Sequence, residues 1–210
     1  MANYVQYGCG LSAPNEWVNF DSSPSLRIQR NPLLNIFLGR KTGVRFPKEV
    51  RYGDIVKGLP VEENSCDGLY CSHVLEHLAL NDFRTALQNS YVVLKPGGTF
   101  RMLMPDLEVV VNQYITNKEQ GDLHASEKFI RSTHMGKEIR ERGLKASFVS
   151  MLGNSKHLWL WDHASAIEEF EKVGFKNIRK CEFNDSSDKM FLKVESEERF
   201  KGAIALEMTK

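Results

Sequence analysis

Tyr4-Val5-Gln6-Tyr7-Gly8-Cys9-Gly10 is the stretch whose reading decides the fold. Tyr and Val suit a half-buried pleated surface, so residues 3–7 read as a strand. The two glycines that follow, with one residue between them, remove side chains where the backbone must turn sharply or approach a ligand. A Gly-x-Gly after a strand also suits an ordinary tight turn, so the features downstream decide between the two. They arrive in a compatible order. Asp21 ends a second strand (residues 17–20), Asp54 ends a third (50–55), and Lys95-Pro96-Gly97-Gly98 precedes a fifth (99–104). Strands alternating with helical patterns predict an α/β fold around a mostly parallel sheet.

Composition narrows the class. The 210 residues are 41% hydrophobic and 26% charged, which suits one domain with one core. A net charge of +1 offers no field for nucleic acid or an anionic membrane. No apolar run is long enough to span a bilayer, and the N-terminus shows no secretory pattern. Cys9, Cys66, Cys71 and Cys181 have no metal-type spacing, and Cys9 and Cys66 to Cys71 read as buried small hydrophobes, which predicts a reducing, cytoplasmic setting. The first strand begins almost at Met1. That start suits a whole protein, or a domain cut from a larger enzyme.

Only Leu11 to Glu16 separate Gly10 from the second strand, too few for the usual crossover helix. The first crossover is therefore abbreviated. Residues 23–49 read as irregular, punctuated by Pro24, Pro32, Gly39, Gly43 and Pro47, with a short helix over Leu33 to Leu38. A fourth strand covers 67–72. Asn81 reads as an N-cap for a helix with Phe83, Ala86, Leu87, Tyr91 and Leu94 on its core face, stopped by Pro96-Gly97-Gly98. Asp106 caps a helix with Leu107, Val110, Val111, Tyr114 and Ile115 on one face. Ser126 to Arg142 reads as a helix inserted over the site. Asp162 caps a last helix through Ile167, Phe170 and Val173, closed by Gly174. Phe175 to Phe183 and Ala203 to Met208 read as final strands, joined by a long polar loop.

YGCG (7–10), WVNFD (17–21), GDI (53–55), LPVEENSCDGLYCSHVLEHL (59–78), VLKPGGTFRMLMPDLE (93–108) and, more weakly, HLWLWD (157–162) with VGF (173–175) resemble the class I S-adenosylmethionine (SAM)-dependent methyltransferases. The likeness is to small members found among polysaccharide-building enzymes. It implies a Rossmann-like sheet, mostly parallel with a C-terminal antiparallel hairpin, and helices on both faces. It implies one domain over 1–210 with a lid insertion at about 108–162. It also implies SAM as cofactor, a sugar or glycan acceptor, and a fused or associated glycosyltransferase, as in the enzymes of large algal viruses, where the setting would be host cytoplasm. The reaction implied is methylation of a sugar hydroxyl, such as one on rhamnose. Alternatives are another small-molecule acceptor, or a SAM-binding scaffold without catalysis.

Open α/β sheets bind ligands outside the carboxyl ends of their strands. A carboxylate there accepts ribose hydroxyls strongly, which suits Asp21 beside Ser22. Asp54 suits the adenine amino group, with Ile55 packing on the ring. Tyr7, Gly8, Cys9 and Gly10 form the loop beside the cofactor. Gln6 stands where relatives often have an acid, and brings no charge for the cofactor ammonium. By the resemblance, Ser72 and His73 lie beside the methionine part of SAM, with His77 near. Read as a helix, His73, Glu76 and His77 share a face. They also match the H-x-x-E-H of inverted zinc proteases, but the pattern directly follows a strand, so no metal ligand set is assigned. An alcohol acceptor benefits from a general base, for which His73, Asp106, and His157 or His163 are the candidates. Trp159 and Trp161 offer faces for a sugar ring, or simple packing.

Overall fold

The computed structural model describes residues 3–38, 43–139 and 156–210. Seven strands form one sheet: β1 (Tyr4–Tyr7), β2 (Val18–Asp21), β3 (Val50–Tyr52), β4 (Cys66–Ser72), β5 (Leu94–Pro105), β6 (Lys176–Lys180) and β7 (Ala203–Thr209). Their order is β3-β2-β1-β4-β5-β7-β6. β1 to β5 pair in parallel, and β7 runs antiparallel between β5 and β6. This is the Rossmann-like methyltransferase sheet expected, with its antiparallel C-terminal pair. The helices are α1 (Pro24–Arg30), α2 (Pro32–Leu38), α3 (Leu80–Val93), α4 (Leu107–Glu119), α5 (Ala125–Ser132) and α6 (His163–Val173). None of the described helices is long and apolar enough to cross a membrane.

Strand side chains alternate between faces, and the two faces are covered differently. Val5, Tyr7, Phe20, Leu69, Cys71, Phe100, Met102, Ile204 and Leu206 meet α3 and α6 through Phe83, Leu87, Ala166 and Phe170. On the opposite face Trp17, Tyr70, Leu103 and Ala205 meet Phe191 and Val194 from a segment of short 3-10 turns, Lys189–Lys193 and Glu197–Phe200. The abbreviated crossover explains the second arrangement. With no helix between β1 and β2, that face lies open to the later segment, which docks through Trp17 Nε1 on the Met190 carbonyl (3.2 Å) and Tyr4 Oη on Asp188 (2.7 Å). The short crossover itself hangs on two buried amides. Gln6 donates to the Ser12 carbonyl and to Asn19, while Asn19 donates to the carbonyls of Pro14 and Trp17.

Arg101, wholly buried in the middle of β5, fixes the same segment. Its guanidinium donates to Glu195 (2.6 Å), Asp185 (2.9 Å), Glu207 (2.8 Å) and the Glu182 carbonyl (3.0 Å). A buried charge is tolerated only when paired and hydrogen-bonded throughout.

Several sequence expectations need correction. Residues 24–30 are helical, and the expected short helix begins at Pro32, because Pro24 and Pro32 open helices rather than break them; proline's fixed φ suits a first helical position. Asn31 caps α2 by accepting from Leu33 N and Leu34 N. The cap of α3 is Ala79, without a side-chain bond, and Asn81 lies inside the first turn. Pro96-Gly97-Gly98 does not stop that helix. Leu94 is already in β5 opposite Cys66, and after a register shift pairing with β4 resumes at Thr99 opposite Gly68, while Gly97 N and Gly98 O bond to Lys210. Asp106 and Asp162 do cap α4 and α6, and Gly174 closes α6 at φ 112°. α4 buries none of its residues fully, and meets α5 through Tyr114 and Phe129 (5.3 Å between rings). The expected helix from Ser126 ends at Ser132, and Arg142 lies outside the described residues.

Removing Arg101 strands buried carboxylates. Arg101→Met is expected to lower unfolding stability by about 3–5 kcal/mol in urea titration. Adding Glu195→Leu to it should recover part of that loss. Additive losses would show that the pair is not coupled.

Candidate active site

The carboxyl ends of β1, β2, β3, β4 and β5 lie along one edge of the sheet, and the residues singled out in the sequence sit there. The β1–β2 turn is built tightly. Gly8 has φ 64°, and a Cβ there would collide with Val74 Cγ2, so the loop leaving β4 lies directly on it. Gly10 N donates to Asp21 Oδ2 (2.9 Å), and Ser23 N donates to Asp21 Oδ1 (2.8 Å). Asp21 is therefore a buried carboxylate that clamps the glycine loop to the end of β2. Burial and the neighbouring Asp21 charge push the Cys9 thiol up to about 12, so Cys9 is a neutral packing group. Tyr7 turns away from the strand ends. Its ring is in the core and its hydroxyl meets Ser90 Oγ (3.1 Å), leaving only its backbone at the site. Asp54 caps the 3-10 turn Ile55–Lys57 by accepting from Val56 N, with Lys57 at 3.4 Å. Ile55 is buried beside it.

The segment after β4, His73-x-x-Glu76-His77, is not α-helical. His73 takes a left-handed φ of 55°, and Leu75–His77 is a single 3-10 turn. The sharp exit turns Glu76 inward. Its carboxylate is 1% exposed, and neither oxygen has a hydrogen-bond partner. His73 Nδ1 stands 3.4 Å from it and His77 Nε2 3.9 Å. His73 Nε2 donates to the Arg199 carbonyl (2.9 Å), while Arg199 Nη1 donates to the Ser72 carbonyl (3.3 Å). Burial presses the His73 pKa down, but Glu76 and the Arg199 carbonyl outweigh it, and the net shift is upward. The Ser72 hydroxyl is buried without a partner.

Two distant motifs meet at Glu76. Its carbonyl accepts from Leu158 N (2.7 Å) and Trp159 N (3.2 Å), which lays residues 157–161 against the turn. His157 thus packs on His77 and on the exposed His134, each with rings 5.0 Å apart. Burial lowers the His157 pKa. Trp161 is core, 5.0 Å from the Phe83 ring, whereas Trp159 is about two-fifths exposed.

Asp106 does not orient His73. It lies beyond the end of β5, where its Oδ1 accepts from Glu108 N and its Oδ2 faces His163 Nδ1 at 3.1 Å. A parallel bridge from Asp106 to Trp161 brings the start of α6 to this place. His163 is one-fifth exposed. Sequence reasoning placed His163 among several histidines, but had no means of pairing it with Asp106 across 57 positions, 163 less 106. Arg199 was missed, because nothing in its local sequence marks it as crossing to β4. A cavity of about 1000 Å³ beside α5, lined by residues such as Ile130, His134 and Lys156, includes none of the strand-end residues.

Residues 6–102, a little under half the chain, match a family described as a methyltransferase domain. A solved SAM-dependent methyltransferase from Thermotoga maritima, described as a possible histamine N-methyltransferase, is similar with a TM-score of 0.51 and 17% identity. The alignment covers 100% of this chain and 83% of that one. A SAM-dependent methyltransferase from Archaeoglobus fulgidus gives 0.48 and 14%, covering 100% and 86%. No curated protein matches the sequence. The Thermotoga structure supports the fold; residues 6–102 match a methyltransferase domain, for which methyl transfer from SAM is the expected chemistry.

Asp21→Ala leaves two backbone amides of the loop without their acceptor. It is expected to lower stability by about 1–3 kcal/mol in thermal or urea unfolding, in protein without ligand. Unchanged stability would mean that water replaces the clamp fully.

Proposed function

We propose that this enzyme transfers the SAM methyl group to a hydroxyl of a sugar, a deoxysugar such as rhamnose on a glycan being the fitting acceptor. The observation that carries the reading is the Asp106–His163 pair beyond the end of β5. An alcohol keeps its proton at neutral pH, so its attack on the sulfonium methyl is helped by a positioned base. A carboxylate facing Nδ1 fixes the imidazole with Nδ1–H toward Asp106. Nε2 is then the lone pair that takes the acceptor proton, and Asp106 stabilises the imidazolium formed. His73 is less suited to this work, since the Arg199 carbonyl holds its Nε2–H and its Nδ1 faces Glu76.

The strand ends divide the cofactor among them. The Gly10 end of the loop, where a Cβ would meet nothing within 4 Å, offers open backbone for the amino-acid tail. Asp21 and Ser22 suit the ribose hydroxyls, Asp54 and Ile55 the adenine, and Ser72 and His73 the methionine part. The partly exposed Trp159 ring, 5.9 Å from Trp161, gives a flat apolar face suited to the C–H face of a sugar. α4, α5 and residues 156–162 serve as an acceptor-side lid in this reading; residues 140–155 of the expected insertion lie outside the described residues. A glycosyltransferase acting on the same glycan is the fitting partner. Attack at the methyl carbon displaces sulfur as a neutral thioether, so positioning and exclusion of water supply much of the rate.

His163→Ala and Asp106→Asn are expected to lower turnover by roughly 100-fold or more, the span of general-base catalysis. SAM affinity by calorimetry should change little. Asp21→Ala is expected to do the reverse, weakening SAM by about 1.5–3 kcal/mol. A panel of methyl-acceptor sugars, with phenols and amines beside them, decides the acceptor. Normal turnover in His163→Ala would remove the dyad, and transfer only to non-sugars would remove the sugar.

A further inference from the structure

Glu76 is a buried carboxylate beside two histidine rings. Both oxygens are buried without a hydrogen bond, and an ionised carboxylate in that state is costly unless a positive charge balances it. Two further groups beside it point the same way. The Lys156 carbonyl accepts from His77 Nδ1 (2.9 Å), so the His77 Nε2 lone pair is left facing Glu76. His157 Nδ1 is buried with no partner. The His77 imidazole is thus fixed by a backbone carbonyl in the tautomer that presents a bare nitrogen, the arrangement that orients histidine ligands on metals. One ligand atom from each of Glu76, His77 and His157 lies within 4.8 Å of the others.

We propose that Glu76, His77 and His157 bind one divalent transition-metal cation, of the Mn²⁺, Co²⁺ or Zn²⁺ kind. One carboxylate and two imidazoles suit such ions and leave coordination positions open for water or another oxygen donor. Ligands on an ion at ~2.0–2.2 Å stand roughly 3–3.5 Å apart, so the three side chains draw in by about 1 Å on binding. The cation joins the turn after β4 to the 157–161 stretch. It does so independently of the acceptor and of the base assigned above. The competing account is a protonated His73, 3.4 Å from Glu76, as the sole balancing charge; it predicts no cation site.

The test uses the full chain, stripped with a chelator, dialysed and titrated with Mn²⁺ and with Zn²⁺ by calorimetry, and with Co²⁺ by visible absorption. One site per chain is expected, with the melting temperature rising with cation concentration as for any ligand of the native state. His77→Ala and His157→Ala should each weaken binding by more than roughly tenfold. His124→Ala, on an exposed surface ring, should not. Glu76→Gln should abolish the site, with circular dichroism confirming the fold; the two histidine variants keep the test valid should that variant fail to fold. No binding by folded protein, or binding unchanged in both histidine variants, would overturn the proposal.

Discussion

A guanidinium without solvent, in the central part of β5, obliges the rest of the chain to bring carboxylates to it. Arg101 meets Glu195, Asp185 and Glu207, all of them from the last 26 residues, 185 through 210. Taking these charges from water is expensive, and only a complete set of partners offsets the cost. The C-terminal segment is therefore drawn across the face that the short first crossover leaves bare. Arg179 extends the network by holding Asp185 and Glu207 from the other side. Phe191, under the Arg101 guanidinium at 5.7 Å, adds the apolar contact. A cover made of 3-10 turns gains little from its own backbone, so its position rests on these side-chain contacts.

That cover reaches the strand ends. Arg199, at the far end of the same segment, donates to the Ser72 carbonyl and accepts from His73. A residue with φ near +55° other than glycine is uncommon and carries strain. At His73 the strain is held by Arg199 on one side and by the inward Glu76 on the other. The reversal has two consequences. It lays Val74 on Gly8, closing the glycine loop from above, and it turns the Glu76 carbonyl to the 157–161 stretch. The packing of the C-terminal cover and the shape of the candidate active site are thus one mechanical unit.

The sheet was legible in the sequence because local signals and the global fold agree there. Period-two alternation, glycine pairs and strand-end acids all mark the same boundaries. Asp106 and Asp162 were legible as caps, since capping is a contact between residues two or three apart. The failures have a common cause. Pro24 and Pro32 were read as breakers, although a proline signal alone does not distinguish a helix start from a helix stop. His73-Val74-Leu75-Glu76-His77 carries helical spacing, but the left-handed His73 and the bond to Arg199, 126 positions away, override it. Tyr7 belongs to a cofactor motif in sequence, yet strand alternation sends its ring to the core. Arg101 gave no signal, as a lone arginine in a strand reads as an exposed edge.

The same limit applies to the chemistry. Both carboxylate–imidazole groupings at the strand ends are assembled across long sequence separations, and each uses a carboxylate whose local role looks structural. Asp106 is a helix cap whose second oxygen is left over, because a capping carboxylate needs only one oxygen for the backbone. Glu76 lies in a turn whose backbone carbonyl already serves Leu158 and Trp159, leaving its side chain with no structural task. A spare buried oxygen costs stability unless function recovers it. At Asp106 the spare oxygen faces one imidazole, which suits moving a proton. At Glu76 the carboxylate faces imidazoles whose other nitrogens are tied to carbonyls, which suits holding a cation. The number of free lone pairs around each acid, rather than the acid itself, separates the two sites.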